Sequence, residues 1–252
     1  MSRPLSLVIT TFNNAATIGK CITSVPCADE ILVLDSFSQD GTDEIAGSLG
    51  ARVIQEHFRG YGPQKQRAID QASHDLVLLL DADESLDTLL AQEIQRIVAA
   101  ASCHSAYRLL REEWLYWKWP ARGTRLTDHL RLFDRRHIRM GQHPIHAAPE
   151  YPGSSQLLKG RLRHYGQRDI AAQVERINIY STGGIEWSER EKGRLTGLRL
   201  VFAPPAAFLR EYVFRRQFLN GWAGFIASRM AAWHAFLRYA KLMESRRRKQ
   251  DN

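Results

Sequence analysis

The stretch that decides the fold is Leu76-Val77-Leu78-Leu79-Leu80-Asp81-Ala82-Asp83-Glu84. Its apolar run is typical of a strand buried on both faces, as in a parallel sheet. Asp81 and Asp83 follow where the strand ends, and open α/β sheets bind ligands at this carboxyl edge. Because neighbouring carboxylates repel each other, they indicate a site for Mg²⁺ or Mn²⁺, which also accepts phosphate oxygens as ligands. The alternative is that these acids, together with Ser85 and Asp87, cap a following helix.

Strands and helices alternate around this stretch through residue 110. The predicted strands are Leu5–Thr10, Ile31–Asp35, Arg52–Glu56, Leu76–Asp81 and Ala106–Leu110, and the predicted helices are Ala15–Val25, Thr42–Leu49, Pro63–Ala72 and Leu86–Ala101. This order predicts βαβ units and an α/β fold, with a mainly parallel, Rossmann-like sheet flanked by helices. The glycine-rich loops that bind phosphate in dinucleotide and P-loop folds are missing from the sequence. The negative charge of a bound phosphate would therefore be neutralised by a metal and by side chains.

The composition divides the chain after residue 110. Residues 1–110 contain 8 Lys and Arg against 14 Asp and Glu, whereas residues 111–252 contain 27 against 13. From Phe208 onward, an apolar stripe recurs at helical spacing among many arginines; it consists of Tyr212, Leu219, Trp222, Ile226, Met230, Trp233 and Leu237. Gly221 and Gly224 are expected to break this helix into two pieces. A basic amphipathic region favours association with an anionic membrane surface. Packing of the apolar stripe on the rest of the protein is the alternative.

The overall composition is that of a globular protein: 252 residues, of which 44% are hydrophobic and 25% charged. Three cysteines without metal-ligand spacing favour a reducing compartment. The amino terminus has no signal-peptide pattern, and no apolar run reaches the ~18 residues of a spanning helix. We therefore expect a soluble or peripheral cytoplasmic protein.

Three blocks of the first 110 residues carry a family resemblance. They are Leu7-Val8-Ile9-Thr10-Thr11-Phe12-Asn13, Val33-Leu34-Asp35-Ser36 with Asp40-Gly41-Thr42, and Leu79-Leu80-Asp81-Ala82-Asp83-Glu84. Their order and spacing resemble the nucleotide-sugar-binding half of family 2 inverting glycosyltransferases, which have the GT-A fold. The likeness to the lipopolysaccharide-core β-glucosyltransferase branch of that family extends through Gly60–Gln66, Leu130–Phe133, Gly160–Tyr165 and Lys241–Glu244.

The resemblance implies a donor site and a reaction. It places the following residues at the nucleotide sugar: Thr10, Thr11, Phe12, Asn13, Asp35, Lys65 and Asp81. In the Asp-x-Asp (DXD) motif, Asp81 would approach the ribose or the metal and Asp83 would bind the metal, Mg²⁺ or Mn²⁺. The reaction would move a hexose, glucose in this branch, from a nucleoside diphosphate sugar such as UDP-glucose to a lipid-linked anionic glycan such as lipopolysaccharide inner core. Such an acceptor places the enzyme at the inner face of the cytoplasmic membrane.

Together with the charge pattern, the resemblance suggests three regions: a donor-binding half over residues 1–110, an acceptor-side and catalytic segment over 111–167, and a region over 168–252 whose basic, amphipathic helical pattern predicts membrane association. Branch members usually carry a Val-His-Glu motif in the second region, but this chain reads His143-Pro144-Ile145-His146-Ala147. Alanine replaces the acid, so Asp128 is the predicted general base and Glu150 is the alternative. Either carboxylate could instead pair with an arginine at the surface, and His146 could be a metal or phosphate ligand or a structural residue.

Other functions are compatible with parts of this pattern. A polyprenyl-phosphate glycosyltransferase would share the donor half, although such enzymes often carry spanning helices. A non-catalytic nucleotide-sugar-binding protein would account for Ala147. A nucleic-acid-binding protein would use the basic half, but the chain has no RNP or zinc-finger signature, so we expect no nucleic-acid partner.

Overall fold

The parallel part of the main sheet forms from the first 81 residues. The structure, a computed structural model, describes residues 3–100, 104–141, 148–167, 169–183 and 196–251. The first elements are β1 (Leu5–Thr11), α1 (Ala15–Thr23), β2 (Glu30–Asp35), α2 (Thr42–Ser48), β3 (Arg52–Gln55), α3 (Tyr61–Asp70) and β4 (Leu76–Asp81). Both β2 and β4 pair in parallel with β1, and β3 pairs in parallel with β2. The predicted βαβ alternation is therefore confirmed.

Later strands extend this sheet in the antiparallel sense. After β5 (Glu84–Leu86) and α4 (Thr88–Ala100) come β6 (Ala106–Leu115), β7 (Thr127–Asp134), β8 (Arg139–Met140), β9 (Pro149–Glu150) and β10 (Gln156–Gln167). The strand order is β3-β2-β1-β4-β7-β6-β10-β5, while β8 and β9 form a separate pair. β7 runs antiparallel to β4 and β6, and β5 runs antiparallel to β10. The predicted α/β class is confirmed.

The helix-cap alternative for the acids after β4 is only partly right. The chain first forms β5, with Glu84 and Ser85 buried in it. Asp87 is the residue that caps α4, because its Oδ1 accepts a hydrogen bond of 2.8 Å from the amide of Leu90. Asp81 and Asp83 precede β5, so neither of them belongs to the first turn of a helix.

Two apolar clusters cover the two faces of the central strands. Leu78 of β4 belongs to the cluster that includes Ile18 of α1, whereas its neighbour Leu79 belongs to the cluster that includes Ile69 of α3. Successive side chains of a strand point to opposite faces, so a strand between two helical layers buries every residue. Each fully buried leucine contributes roughly 1.5–3 kcal/mol through burial alone.

Glu30 ties the amino-terminal edge of the sheet together. Its carboxylate accepts hydrogen bonds from the Ser6 hydroxyl, from Arg52 and from the amide and hydroxyl of Ser73, over 2.5–2.7 Å. Burial alone would raise the pKa of this carboxyl, but the donors outweigh it and lower the pKa of Glu30 to about 2. One side chain therefore joins β1, β2, β3 and the turn before β4, at the edge opposite the predicted site.

The described residues divide into two compact units. The first comprises Met1–Glu112 and Thr127–Tyr165, and the second comprises Glu113–Leu126 and Gly166–Asn252. The second unit contains α5 (Ile170–Gly183), α6 (Thr196–Leu209) and α7 (Gly221–Asp251). A π-helical turn at Arg210–Phe214 and a 3-10 turn at Gln217–Asn220 connect α6 to α7. Among the described helices, none has the length and apolar character required to cross a bilayer.

Only one of the two predicted glycine breaks occurs. Gly221, with φ of +61°, begins α7 after the connecting turns, as a residue without a Cβ can in this region. Gly224 lies inside α7, so the expectation that it breaks the helix is wrong. A Cβ at Gly224 would lie 1.9 Å from the carbonyl oxygen of Gln217. The glycine therefore allows the connecting turn to pack against the helix.

Candidate active site

The sheet register places the predicted donor-site residues side by side. Thr10 at the end of β1 is paired with Leu34 on one side and with Asp81 on the other. Thr11 is paired with Asp35 at the end of β2. The carboxyl ends of three parallel strands thus form one edge, as the sequence predicts.

The loop after β1 is held to the loop after β2 by a polar network around Asp35. Asp35 is fully buried and accepts hydrogen bonds from the amide (2.9 Å) and hydroxyl (2.5 Å) of Ser38. The same hydroxyl accepts the amide of Asn13 at 2.8 Å, and the Asn13 side-chain oxygen accepts the amide of Gln39 at 2.9 Å. Asn13 has φ of +54°, and Phe12 beside it is 57% exposed. The network fixes the loop that presents this exposed ring.

A second link between these loops runs through Asp40. Its Oδ2 accepts the amide of Ala15 at the start of α1, and its Oδ1 accepts the Thr42 hydroxyl at 2.5 Å. The Thr42 hydroxyl in turn accepts the amide of Asn14 at 2.8 Å. The hydrogen bond from Thr42, followed by that from Ala15, lowers the pKa of Asp40. The Asp40-Gly41-Thr42 block thus fixes the loop after β2 to the start of α1.

Asp81 is held between two cations. Lys65 Nζ of α3 lies 2.5 Å from Oδ1, and Arg131 Nη2 of β7 lies 2.9 Å from Oδ2. Burial would raise the pKa of Asp81, but Lys65 and Arg131 lower it well below its ordinary range. Asp81 is therefore a carboxylate with Lys65 beside it.

Arg131 also anchors the buried carboxylate that follows the motif. Its Nη2 lies 2.7 Å from Oε1 of Glu84, whose side chain is inaccessible to solvent, and Arg111 Nη1 lies 3.5 Å from the same oxygen. The other oxygen of Glu84 accepts the amide of Asp81 at 2.9 Å. Burial alone would lower the pKa of Arg131, but the negative charges of Glu84 and then Asp81 raise it above its ordinary value. The turn after β4 is thus fixed by ion pairs to two strands.

Asp83 is contacted by a histidine that Arg111 orients. His164 Nε2 on β10 lies 3.2 Å from Oδ2 of Asp83, and Arg111 Nη2 lies 2.8 Å from His164 Nδ1. Because a guanidinium only donates, Nδ1 must accept, so the proton of Nε2 faces Asp83. Burial would raise the pKa of Asp83, but His164 and, less strongly, Arg111 together lower it. The carbonyl oxygen of Asp83 accepts the amide of Tyr165 at 3.0 Å.

Comparison with known proteins identifies the family. The model of glycosyl transferase family 2 matches residues 6–147. The chain belongs to glycosyl transferase family 2. A lipopolysaccharide core biosynthesis glycosyltransferase of Rhizobium meliloti is 31% identical to it, over 96% of this chain and 92% of the relative. A glycosyltransferase of Rickettsia prowazekii is also 31% identical, over 96% of this chain and 87% of its own.

A solved structure matches part of the chain. It is glucosyl-3-phosphoglycerate synthase from Mycobacterium tuberculosis in complex with Mn²⁺, UDP and glucosyl-3-phosphoglycerate. The match is 26% identical, has a TM-score of 0.36, and covers 44% of this chain and 44% of that chain. The family predicted from the sequence, its GT-A fold and the assignment of the protein as a glycosyltransferase are confirmed by the family match, the relatives and the sheet.

The predicted general base of this family 2 enzyme lies on β7. Asp128 is near the start of that strand, which runs antiparallel beside β4 and therefore begins at the carboxyl edge of β4. Its Oδ2 is 2.9 Å from Arg108 Nη1, and both side chains are more than one-third exposed. Glu150, the alternative, lies on β9 with Oε1 at 2.8 Å from the position of a Cβ at Gly141. His146 and Ala147 fall outside the described residues.

Three residues around the motif had no role in the sequence prediction. Arg111, Arg131 and His164 come from three different strands after residue 110, and they reach the acids after β4. Arg131 does carry a sequence signal, because a lone arginine in the apolar run Leu130-Arg131-Leu132-Phe133 indicates a buried charge that requires an acidic partner. The sequence does not identify that partner, since the strand order is needed to bring β7 beside β4.

Proposed function

We propose that this glycosyltransferase moves a hexose, glucose, from UDP-glucose to a hydroxyl of a lipid-linked phosphorylated glycan such as lipopolysaccharide inner core, with inversion. The observation that carries the proposal is the pair Asp81 and Asp83 at the carboxyl edge of β4, set beside Lys65 and Arg131. The acceptor class is supported by the name of the Rhizobium meliloti relative, which is similar over almost its whole length.

The acid pair suits a hard divalent cation, Mg²⁺ or Mn²⁺. Asp81 and Asp83 are both about one-quarter exposed, but Asp83 is the better ligand because His164 contacts only its Oδ2. Both oxygens of Asp81 are contacted by Lys65 and Arg131, so Asp81 would reach the metal or the ribose only by exchanging one of these partners. Among the residues that the structure describes, no three His, Cys, Asp or Glu converge on one point. The coordination shell of a bound metal would therefore be completed by diphosphate oxygens. The metal would offset the negative charge on the leaving diphosphate.

The remaining side chains supply positioning and proton transfer. Thr10, Thr11, Phe12, Asn13 and Asp35 form the nucleoside side of the proposed donor site, where the loop network holds them in place. Lys65 and Arg131 place positive charge beside the position proposed for the diphosphate. Asp128 would accept the proton of the attacking hydroxyl, a role worth typically 10²–10⁴-fold in rate.

The proposed acceptor places the reaction at the inner face of the cytoplasmic membrane, with the protein bound peripherally. The basic region supports this location, because residues 111–252 contain 27 Lys and Arg against 13 Asp and Glu. A positive surface attracts both an anionic bilayer and a phosphorylated glycan.

The test is calorimetric titration of UDP-glucose and UDP into the purified protein, with and without Mn²⁺. We expect binding that requires Mn²⁺ and that falls at least about tenfold in Asp83→Asn, because the variant loses the carboxylate that would meet the cation. Asp75→Asn is the matched control, since Asp75 precedes β4 at the opposite end and makes only partly exposed ion pairs with Arg135 and Arg136. Mn²⁺-dependent binding that is unchanged in Asp83→Asn would refute the metal assignment.

Product analysis then separates the acceptors. Incubation with UDP-glucose and either a lipopolysaccharide inner core or a polyprenyl phosphate should give a glucosylated product only from the core. Transfer to the polyprenyl phosphate alone would replace the proposed acceptor. Donor binding without transfer to either would instead favour a nucleotide-sugar-binding protein.

A further inference from the structure

The second unit exposes a continuous aromatic surface on the hairpin of α6 and α7. We call it the hairpin face and define it by Phe208, Tyr212, Trp222, Phe225, Trp233 and Phe236. The ring of Phe225 lies 5.8 Å from that of Phe208, 6.0 Å from that of Tyr212 and 6.0 Å from that of Trp222. The rings of Trp233 and Phe236 stack at 5.3 Å.

A groove joins the two parts of this face. It has a volume of about 510 Å³ and lies between Phe208 and Leu209 of α6 and Trp233 and Phe236 of α7. Pro204 and Pro205 of α6 complete its apolar wall, and Arg229 of α7 is its one charged lining residue. Phe208 belongs to both the groove and the ring cluster, so the apolar surface is unbroken.

The face is solvent-exposed to an extent that is unusual for aromatic residues. Trp222 is 77% exposed and Trp233 is 46% exposed. Other parts of α7 are covered: Ala223 packs with Leu115 and Tyr116, and Lys241 donates to the carbonyl and side-chain oxygens of Asn178 on α5. Contiguous exposed apolar patches of this kind mark interaction sites.

The charge around the face selects the partner. Residues 196–243 contain seven Lys and Arg and a single acid, Glu211, which is already paired with Arg210 and Arg215. Arg229 has no ion-pair partner among the described residues. A two-fold pairing of this face with a second copy would set the arginines of one copy against those of the other. Exposed tryptophans beside arginines suit the interface of an anionic bilayer, where rings lie at the level of the headgroups and cations meet phosphates.

We propose that the hairpin face is the bilayer-binding surface of the protein, with Trp222 and Trp233 inserted among anionic phospholipids and Arg229 paired with their phosphates. This inference deepens the proposed function, since it names the surface that would hold the enzyme beside a lipid-linked acceptor. It also revises the helical stripe read from the sequence, because Ile226 and Met230 of that stripe are only partly exposed, whereas Phe225 and Phe236, outside the stripe, are exposed.

The test is sedimentation of the full-length protein with vesicles of phosphatidylcholine alone or with about one-third phosphatidylglycerol. We expect binding to the anionic vesicles only, weakened by salt. The double variant Trp222→Ala/Trp233→Ala should bind at least about tenfold more weakly, because two interfacial rings are lost. Arg229→Gln should bind about fivefold more weakly, the effect of one cation near the surface.

Matched controls come from the first unit. Leu89→Ala removes an exposed apolar side chain from α4, and Arg96→Gln removes an exposed arginine from the same helix. Both should bind vesicles as the unaltered protein does. Far-UV circular dichroism of Trp222→Ala/Trp233→Ala should be unchanged, since both rings are exposed. The double substitution Trp222→Phe/Trp233→Phe, which keeps aromatic rings, should recover most of the binding.

Several outcomes would overturn the proposal. The first is that the unaltered protein does not bind anionic vesicles, and the second is that the tryptophan double variant binds them equally well. The third is that the unaltered protein has the mass of two chains in solution and binds no vesicles, whereas the double variant has the mass of one chain. Mn²⁺-dependent UDP binding, measured on the same samples, reports on the proposed function separately. Vesicle binding without UDP binding would contradict the proposed function and leave the hairpin face supported.

Discussion

Replacing Arg131 by methionine should destabilise the first unit more than any exposed charge replacement in the same sheet. Arg131 is 5% exposed, and its Nη2 lies 2.7 Å from Glu84 and 2.9 Å from Asp81. Removing one member of a buried ion pair typically costs about 3–5 kcal/mol, because the partner charge stays buried. Arg111 remains 3.5 Å from Glu84 and Lys65 remains beside Asp81, so we expect the lower end, about 3 kcal/mol.

The assay must report on the first unit. All six tryptophans lie in the second unit by sequence position, so their fluorescence does not observe β4 or β7. Hydrogen exchange of the peptide that spans residues 76–86 does report on β4. A loss of about 3 kcal/mol in the free energy of unfolding should accelerate the exchange of its slowest amides by roughly 100-fold.

Two further variants make this result specific. Arg108→Met is the matched control, because Arg108 pairs with Asp128 where both side chains are more than one-third exposed, and it should cost less than about 1 kcal/mol. Arg131→Met/Glu84→Gln should recover part of the loss, since the orphaned charge is removed as well. Exchange in Arg131→Met that matches Arg108→Met would refute the argument that the buried pair is what fixes the turn after β4.

Three other outcomes are expected. Glu30→Gln should lower the free energy of unfolding by about 1–2 kcal/mol at neutral pH, after a discount for solvent screening. Because the folded pKa of Glu30 is about 2 and its ordinary value is 4.5, this contribution is complete above pH 4.5 and is lost as the pH falls toward 2, so urea titrations of the two proteins should converge in acid. Gly160→Ala should cost at least about 1–3 kcal/mol in thermal unfolding, since its Cβ would lie 2.3 Å from the amide nitrogen of Leu90, and an unchanged melting temperature would contradict that contact. Asp128→Asn should lower kcat by about 10²–10⁴-fold with donor affinity retained, and unchanged kcat would transfer the proposed role to another base such as Glu150.

The alternation of apolar runs allowed the first half of the fold to be predicted from the sequence. Leu76–Asp81 was predicted with the bounds that the structure has, and the starts of the other four predicted strands differ from the observed starts by at most one residue, but β5 was not predicted. The central strands β1 and β4 are buried on both faces, so most of their residues are apolar. Such a run can be recognised in the sequence without knowing which strand lies beside it. The strands after Ala106 that complete the sheet were not predicted, because β7 and β10 mix charged and apolar residues whose burial depends on which strand lies beside them.

The candidate site divides along the same line. The sequence by itself placed Thr10, Asp35 and Asp81 at one edge, since parallel strands necessarily end on the same side. Only the tertiary structure joined Arg131 and His164 to the acids, because side chains separated by 50 or more residues meet only once the antiparallel strands have taken their order in the sheet. Sequence periodicity records the environment of each residue along its own element, whereas an ion pair between elements depends on where the chain returns.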